Sequence, residues 1–419
     1  MPSLEAYLVT FNCAREPVNP DTLAPHLFDA LPQDAGLPDV VAIALQEVAP
    51  IAYSFLGGSY LEPYFSQVAS TVQLAAKLHS DDAQAYQHFL TRSLGMTALM
   101  LFWKPAVASK IQWVQSAGAG VGLWDMGNKG AVGVRVGLAL DNSDETFDIT
   151  FVSGHLAPME GEVPRRNQDW ENIVRNLVFI NDETPKSSAE EQPLLSSPSA
   201  PPPPDNTGLY HPSNHIFVAG DLNYRTHDTP PDPNSHINYP QPTPSSASPT
   251  HFSHFLKTDQ LARELDANRT LHGFSEAPIT FPPTYKHSPK PDSSSDADEQ
   301  WQWAKHRYPS WCDRILFLPP LRPHIYTSLA LQKTSDHQPV ALSVSVSLDP
   351  PNRVYDAEPP FPLNKDWRAR ADAARRKEIV VGVLSYLALT RSGNAVLVGV
   401  VAVVVAGVWM AGWMSEGGG

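Results

Sequence analysis

Five short polar segments in this chain each lie at the end of an apolar run, where sheet proteins commonly place residues that do chemistry. Their side chains are two amides, three carboxylates and two imidazoles: Asn12, Glu47, His155, Asp221, Asn223, Asp336 and His337. Each has an ordinary structural explanation by itself; Glu47 could cap a helix, and Asp221 with Asn223 could form a tight Asx turn. As a set, these groups are the components of metal-assisted phosphate hydrolysis.

The types of ligand also select the metal. Carboxylate and amide oxygens, here those of Glu47, Asn12 and Asp336, suit Mg²⁺, which keeps several waters and binds phosphate oxygens directly. A zinc site would contain more histidine or cysteine. The two cysteines, Cys13 and Cys312, have no metal-binding spacing and are predicted to be reduced thiols.

The elements that must position these groups are mostly strands. Apolar and β-branched runs predict strands at 7–11, 40–45, 97–103, 130–140, 146–152, 216–219, 314–318 and 340–348. Apolar residues at three- and four-residue spacing predict helices at 63–80 and 165–180. The mixture indicates an α+β protein in which helices cover the sheets.

Three segments rich in proline and serine are predicted to be disordered insertions, about 182–207, 229–250 and 287–299. Parts of one set of motifs lie on both sides of each insertion. We therefore expect one domain over residues 1–348. Residues 349–378, proline-rich and then basic, predict a linker.

The C-terminal region predicts attachment to a membrane. Residues 395–414 carry no charge, and a helix of that length spans about 30 Å, one bilayer core. A buried helix of a soluble protein would normally show a polar face. The basic run upstream, from Arg368 to Lys377, places that flank in the cytosol, and the short remainder after the span predicts a tail anchor. Residues 379–394 include an apolar stretch too short to span, for which an interfacial helix is favoured over a second crossing.

The charge balance and the N-terminus exclude other classes. A formal net charge of −14 argues against a sequence-independent nucleic-acid surface, although it permits a local basic pocket. The first residues lack the basic and apolar regions of a signal peptide. We therefore expect no nucleic acid partner, and nothing in the sequence indicates an obligate protein partner.

Several segments resemble the inositol polyphosphate 5-phosphatases, a family of the endonuclease/exonuclease/phosphatase superfamily. FVAGDLNYR (217–225), YPSWCDRIL (308–316) and SDHQPV (335–340) are similar to its WxGDxNxR, PxWCDRxL and SDHxPV signatures. ALQE (44–47), GNKGAV (127–132), SGHLAP (153–158) and FPPTYK (281–286) fill the remaining positions, so the resemblance covers about residues 5–348. GDxN and SDH alone would indicate only the superfamily, whereas WCDR together with GNKG and PTYK narrows the resemblance to the 5-phosphatases. Departures include Phe217 in place of Trp and TFNCA in place of TWNV.

The resemblance implies a four-layer α/β sandwich, two packed mixed sheets flanked by helices, with the active site at one edge. Glu47 would be the main Mg²⁺ ligand, with Asn12 close by and Asp336 as a further metal-site residue. The ion would polarise the 5-phosphate and offset the charge that develops on the leaving oxygen.

The resemblance also implies catalytic roles for five side chains. Asp221 would take a proton from the attacking water, and Asn223 would orient that water and the phosphate. His337 would donate to a phosphoryl oxygen, with Asp313 fixing its tautomer. His155 would be a second phosphate donor.

Recognition of the other ring phosphates would need further polar groups. The candidates are Asn128 and Lys129 in GNKG, Tyr285 and Lys286 in PTYK, and Lys305 and Arg307 before PSWCDR. The alternative is that the charged members are solvated surface residues.

The predicted anchor bears on the substrate. A tethered domain meets membrane lipid at high effective concentration, which favours phosphatidylinositol 4,5-bisphosphate over soluble inositol trisphosphate. The layout is similar to that of tail-anchored 5-phosphatases of the endoplasmic reticulum, with the catalytic domain facing the cytosol. Two alternatives stay open: another phosphodiesterase of the superfamily, such as a nuclease or a sphingomyelinase, and a non-catalytic tether that binds phosphoinositides.

Overall fold

A computed structural model describes residues 3–80, 85–140, 146–182, 207–210, 214–243, 245–288, 301–348 and 359–416. The strands in these residues are β1 (Ser3–Asn12), β2 (Val40–Gln46), β3 (Gln87–Leu94), β4 (Thr97–Trp103), β5 (Ile111–Gly120), β6 (Gly130–Ala139), β7 (Thr146–His155), β8 (Ile180–Asn181), β9 (Asn214–Asp221), β10 (Ser275–Glu276), β11 (Asp313–Leu318), β12 (Ile325–Ser328) and β13 (Val340–Ser347). The α-helices are α1 (Pro20–Leu23), α2 (Ile51–Leu56), α3 (Glu62–Ser80), α4 (Pro105–Ala108), α5 (Val163–Asn176), α6 (Ser253–Leu256), α7 (Gln260–Asp266), α8 (Trp367–Leu389) and α9 (Arg391–Glu416). Short 3-10 turns lie at Ala24–His26, Gly58–Tyr60, Leu123–Asp125 and Ser235–Asn238.

The strands form two mixed sheets. The first has the order β12-β13-β1-β2-β4-β3, in which β1 and β2 are parallel and the other neighbours antiparallel. The second has the order β10-β11-β9-β7-β6-β5-β8, in which β7 and β9 are parallel. Each parallel pair brings two carboxyl ends to one edge, so Asn12 lies opposite Gln46 and His155 opposite Asp221.

Three hydrophobic clusters make the molecule four layers deep. One lies between the sheets, where Leu8 and Leu101 of the first face Val134 of the second. A second joins the outer face of the first sheet to α3, and a third joins the outer face of the second sheet to α5 and α7. The predicted four-layer sandwich of two packed mixed sheets is confirmed.

Two predicted segments differ from the observed elements. The helix predicted at 165–180 ends at Asn176, and residues 180–181 join the second sheet as β8. Of the predicted insertions, 183–206 and 289–300 lie outside the described residues. The third, 229–250, is folded over its described part: Ser235–Asn238 form a 3-10 turn, and Tyr239 is buried against Phe255 and Tyr308. Its aromatic side chains give this proline-rich segment a core contact that its composition alone does not predict.

The basic end of the predicted linker is also ordered. Residues 367–378 and most of the predicted interfacial segment belong to the single helix α8, whose buried residues Ala374, Glu378 and Gly382 recur every fourth position. That spacing places them on one helix face, which packs against the domain. The part of the predicted linker at 349–358 lies outside the described residues.

The last helix, α9, differs from the others in composition. Among the described residues, it alone is long and apolar enough to cross a membrane, over Arg391–Ala411, and every residue of that stretch after Gly393 is exposed.

Candidate active site

The carboxylate of Asp221, buried at the end of β9, is the centre of the site. Its Oδ2 accepts a hydrogen bond from Nδ2 of Asn12 at 2.9 Å. The same oxygen lies 3.3 Å from Nε2 of His155 and 4.0 Å from Nε2 of His337. Its Oδ1 accepts from the backbone N–H of Asn223 at 3.1 Å. Four separated stretches of the predicted site therefore converge on one side chain.

His337 is held from its far side by Asp313, the first residue of β11. Nδ1 of His337 lies 2.9 Å from Oδ2 of Asp313, which also accepts from the hydroxyl of Thr284 at 2.7 Å. Burial disfavours the charged ring, but the Asp313 carboxylate outweighs it and raises the pKa of His337 to about 9. His337 is therefore an imidazolium at neutral pH, with Nε2–H directed toward Asp221.

The second histidine, His155, is neutral, in contrast to His337. Burial, together with the neighbouring Lys129 ammonium, lowers the pKa of His155. Burial acts to raise the pKa of Asp221, yet its hydrogen bond with His155 and the charge of His337 lower that pKa below its usual range. The site thus pairs an ionised acceptor with one charged and one neutral ring.

Glu47 follows β2 directly and has a backbone φ of 47°, in the left-handed region that non-glycine residues rarely adopt. Backbone strain of this kind concentrates at functional sites. Its side chain is 25% exposed, with Oε1 3.7 Å from Nζ of Lys129 and Oε2 3.4 Å from Nε of Arg15. Lys129 also contacts Nε2 of His155, so this lysine joins Glu47 to the Asp221 cluster.

Two groups of side chains are candidates for holding a cation. Ligand atoms of Asp221, Asp313 and His337 lie within 4.8 Å of one another, but the His337 ring is already charged and bonded to Asp313. Glu47 is the better ligand, since its side chain is partly exposed and its neighbours are cations that a metal ion would replace. Oδ1 of Asn12 accepts from the N–H of Ala14 at 3.0 Å and keeps a second lone pair. This set of oxygens, free of thiolate, fits a hard divalent cation.

Asn223 is fixed by its neighbours and has φ 57°. Its Nδ2 donates to the carbonyl of Leu156 at 3.1 Å, and its Oδ1 accepts from Arg225. The Arg225 guanidinium lies 4.3 Å from the ring centroid of Tyr285. No role is predicted for Arg225 from the sequence; its place in the FVAGDLNYR segment is the signal that it supports the site.

Tyr285 and Lys286 lie beside the catalytic cluster. The Tyr285 ring is 4.5 Å from that of His337, centroid to centroid. Lys286 forms an ion pair with Asp336. The Asp336 carboxylate thus faces the lysine of PTYK, and its role as a metal-site residue stays a prediction.

The remaining candidates for phosphate binding are more scattered. Nε of Arg307 lies 3.7 Å from Oε1 of the buried Glu160. Lys305 is exposed at the surface. Oδ1 of Asn128 is buried and has no hydrogen-bond partner within the described residues. Arg307 is thus held by an ion pair, whereas Lys305 is solvated.

Comparisons with known proteins agree with the geometry of the site. Residues 9–343 match the model of Endonuclease/Exonuclease/phosphatase family 2. The chain is 31% identical over 316 residues to the type II inositol 1,4,5-trisphosphate 5-phosphatase of Mus musculus, covering 74% of this chain and 27% of that protein. It is 30% identical over 287 residues to the phosphatidylinositol 3,4,5-trisphosphate 5-phosphatase 2B of Danio rerio, covering 66% and 20%. The chain thus spans less than a third of the length of these relatives.

Solved structures give the fold. The inositol polyphosphate 5-phosphatase domain of SPsynaptojanin, crystallised with inositol (1,4)-bisphosphate and a calcium ion, has a TM-score of 0.59 and 22% identity, covering 90% of each chain. Cimex nitrophorin in its ferrous NO complex reaches 0.50 with 17% identity, covering 83% of this chain and 100% of that one. The same fold therefore hosts unrelated chemistry, and the family rests on the sequence match. With the family model matched over residues 9–343 and 5-phosphatases among its relatives, the chain belongs to the endonuclease/exonuclease/phosphatase family, as its motifs predict.

Proposed function

We propose that this chain is a metal-dependent phosphatase that removes the 5-phosphate of phosphatidylinositol 4,5-bisphosphate. The observation that carries the proposal is the convergence of Asn12, His155, Asn223 and His337 on the carboxylate of Asp221. Relatives named as 5-phosphatases of inositol trisphosphate and of a phosphoinositide support the substrate class.

Asp221 is the proton acceptor in this proposal. It is an anion at neutral pH, and the amide of Asn12 and the N–H of Asn223 fix both of its oxygens. A water that attacks the phosphorus atom passes its proton to this carboxylate as the new P–O bond forms and the P–O bond to the inositol 5-oxygen breaks. The 5-oxygen leaves with the electron pair of that bond and takes up a proton from solvent to become a hydroxyl. Asn223, locked by Leu156 and Arg225, orients the carboxylate through its backbone.

The cationic groups that contact the phosphates in this proposal include His337 and lysines. The His337 imidazolium donates through Nε2 to a phosphoryl oxygen, where negative charge develops during the reaction. Lys129, bonded to His155, provides a second cation. In this proposal Lys286, which pairs with Asp336, and Arg307 bind a neighbouring ring phosphate.

In this proposal Glu47, with Asn12 beside it, would hold Mg²⁺, and the bound ion would polarise the phosphoryl group and offset charge on the leaving oxygen. The choice of Mg²⁺ rests on oxygen ligands without thiolate. Loss of phosphate release in excess chelator, restored by Mg²⁺, is the expected result.

We further propose that α9 anchors the enzyme in the endoplasmic reticulum with its domain in the cytosol. An exposed helix that carries no charge over residues 395–414 and is preceded by basic residues supports a membrane span with a cytosolic flank. A fluorescent protein fused to the N-terminus should label reticular membranes; a uniformly cytosolic signal would reject the anchor.

Phosphate release tests the activity directly. The full chain is incubated with four substrates in separate assays. The first is soluble inositol 1,4,5-trisphosphate, and the others are vesicles that contain phosphatidylinositol 4,5-bisphosphate, phosphatidylinositol 3,4,5-trisphosphate or sphingomyelin. We expect release from the first two substrates and a loss of at least about a hundredfold in Asp221→Asn, the low end for a general base. Asp29→Asn, an exposed carboxylate outside the site, is the matched control. Equal turnover by Asp221→Asn and wild type would refute the assignment of the base.

A further inference from the structure

We propose that helix α8 is a positioning element for the loop that carries Asn128 and Lys129, acting through Glu378. The helix thereby couples the anchor to substrate binding. The role of that loop in substrate binding rests on the proposed function, whereas its coupling to α8 rests on contacts between α8 and the domain.

Glu378 is 1% exposed, and both of its oxygens are used. Oε1 accepts a hydrogen bond from the backbone N–H of Gly127 at 2.7 Å, across 251 residues of sequence. Oε2 accepts from Nη1 of Arg375 at 3.1 Å, and that guanidinium also donates to the carbonyl of Phe55 at 2.7 Å. A buried carboxylate is costly unless it is paired and hydrogen-bonded. Glu378 is therefore committed to holding the Gly127 amide.

Gly127 is clamped from the opposite side as well. Its carbonyl accepts from the N–H of Met96, in the turn between β3 and β4, at 2.9 Å. A Cβ at Gly127 would lie 2.9 Å from the backbone N of Gly95, so the two turns approach too closely for a side chain. Asn128 and Lys129 follow immediately. The position of Lys129 beside His155 and Glu47 is thus set within two residues of the clamped amide.

The same helix face covers the preceding residues of the loop. Arg370 pairs with Asp125 at 2.9 Å, and Nζ of Lys377 lies 6.0 Å from the ring centroid of Trp124. Residues 370, 374, 378 and 382 recur every four positions and so share one face.

The helix stays docked up to the start of α9. A Cβ at Gly382 would lie 3.0 Å from Cβ of Phe55 in α2, which shows how closely the backbone approaches. One turn later, the Tyr386 ring packs 5.5 Å from that of Tyr60. Thr390 alone separates α8 from α9. The anchor therefore joins the domain through a packed helix.

The test uses the full chain and soluble inositol 1,4,5-trisphosphate, so that membrane binding plays no part. Glu378→Ala should raise KM about tenfold, the effect of losing one hydrogen bond to a charged group, while kcat stays within a factor of about three. Glu378→Gln keeps an acceptor for the Gly127 amide and should restore KM. Arg376→Ala, exposed on the same helix, should leave both constants unchanged.

A double-mutant cycle separates positioning from general destabilisation. In a Lys129→Ala background, Glu378→Ala should have little further effect, since the group that it positions is gone. An undiminished effect in that background would overturn the proposal. If Glu378→Ala fails to fold, Arg370→Glu, which places like charge beside the exposed Asp125, loosens the same face and should also raise KM; an unchanged KM would count against the coupling.

Hydrogen exchange provides a readout independent of activity. The Gly127 amide should exchange at least about tenfold faster in Glu378→Ala, because its acceptor is lost. If the wild type releases no phosphate from any inositol substrate, the proposed function fails while this measurement still decides the coupling. An amide that stays equally protected would overturn it.

Discussion

The two histidines of the site differ in charge because they have different neighbours. His337 has Asp313 on one side and Asp221 on the other, and its pKa is raised to about 9. His155 is buried beside Lys129, and its pKa is lowered. A pair of titratable groups whose environments push their pKa values apart is the usual mark of divided acid and base roles. In the proposed mechanism, the ionised carboxylate of Asp221 is the proton acceptor and the charged ring of His337 is the hydrogen-bond donor.

The charge of His337 predicts an alkaline limit to activity. Because the donor is the protonated ring, kcat/KM for soluble inositol trisphosphate should fall as the pH rises through about 9. In Asp313→Asn the carboxylate that raises this pKa is absent, so the limb should move toward the ordinary value of about 6.5. Rates measured between about pH 6 and 10 check this. An alkaline limb at the same pH in both proteins would show that another group titrates.

At the scale of elements, the sequence predicts strands that are buried on both faces better than those that are not. The run at 97–103 is fully buried and coincides with β4. β3 reads QHFLTRSL and is only partly buried, and β5 ends in SAGAG, so neither carries a clear apolar or β-branched pattern. Pairing with β4 and β6 imposes their extended form.

The same limit applies to the site and to α8. The ends of apolar runs predicted which side chains do chemistry, and the parallel pairs β1–β2 and β7–β9 are what bring Asn12, His155 and Asp221 to one edge in the structure. The left-handed backbone of Glu47 and the pairing of Asp336 with Lys286 depend on tertiary contacts that no local pattern contains. Likewise, the basic residues of α8 read as a linker, since Gly127 and Asp125, which they cover, lie about 250 residues earlier.

The central strands of the second sheet contain a carboxylate whose removal should stabilise the fold. Burial raises the pKa of Asp148, on β7, to about 6, although the hydroxyl of Thr146 donates to it at 2.8 Å. A folded pKa above the unfolded value of about 3.9 means that stability falls as the pH rises from about 4 to 6. Asp148→Asn, which keeps the acceptor, should therefore raise the free energy of unfolding at pH 7 by up to about 3 kcal/mol.

Denaturant midpoints at two pH values check this prediction. The gain should be present at about pH 7 and absent at about pH 4, where the wild-type carboxyl is protonated. A variant that is less stable at pH 7 would show that the charge of Asp148 is worth more to buried Arg135, across the β6–β7 pair, than its burial costs.

At the scale of the whole molecule, function depends on how the domain is held as well as on the site. The acidic chain has little general attraction to an anionic bilayer, so under the proposed function stable contact depends on α9. Because α8 packs along α2 and the Gly127 loop, the proposed anchor would fix the direction in which the domain meets the membrane. A flexible tether would leave that direction free.

Charges placed inside α9 should separate the anchor from catalysis. Val403 and Val404 are exposed in the middle of the helix, and an arginine near a bilayer centre costs about 2.5–3.5 kcal/mol. The double variant Val403→Arg, Val404→Arg should leave the membrane fraction, while Val403→Leu, Val404→Leu should stay there. Hydrolysis of vesicle-borne lipid should drop about a hundredfold as the effective concentration is lost. Turnover of soluble inositol trisphosphate should be unchanged, because neither residue touches the domain. If the arginine variant stayed membrane-bound, the exposed apolar side chains of α8, such as Val380 and Leu384, would be the surface that holds the chain to the bilayer.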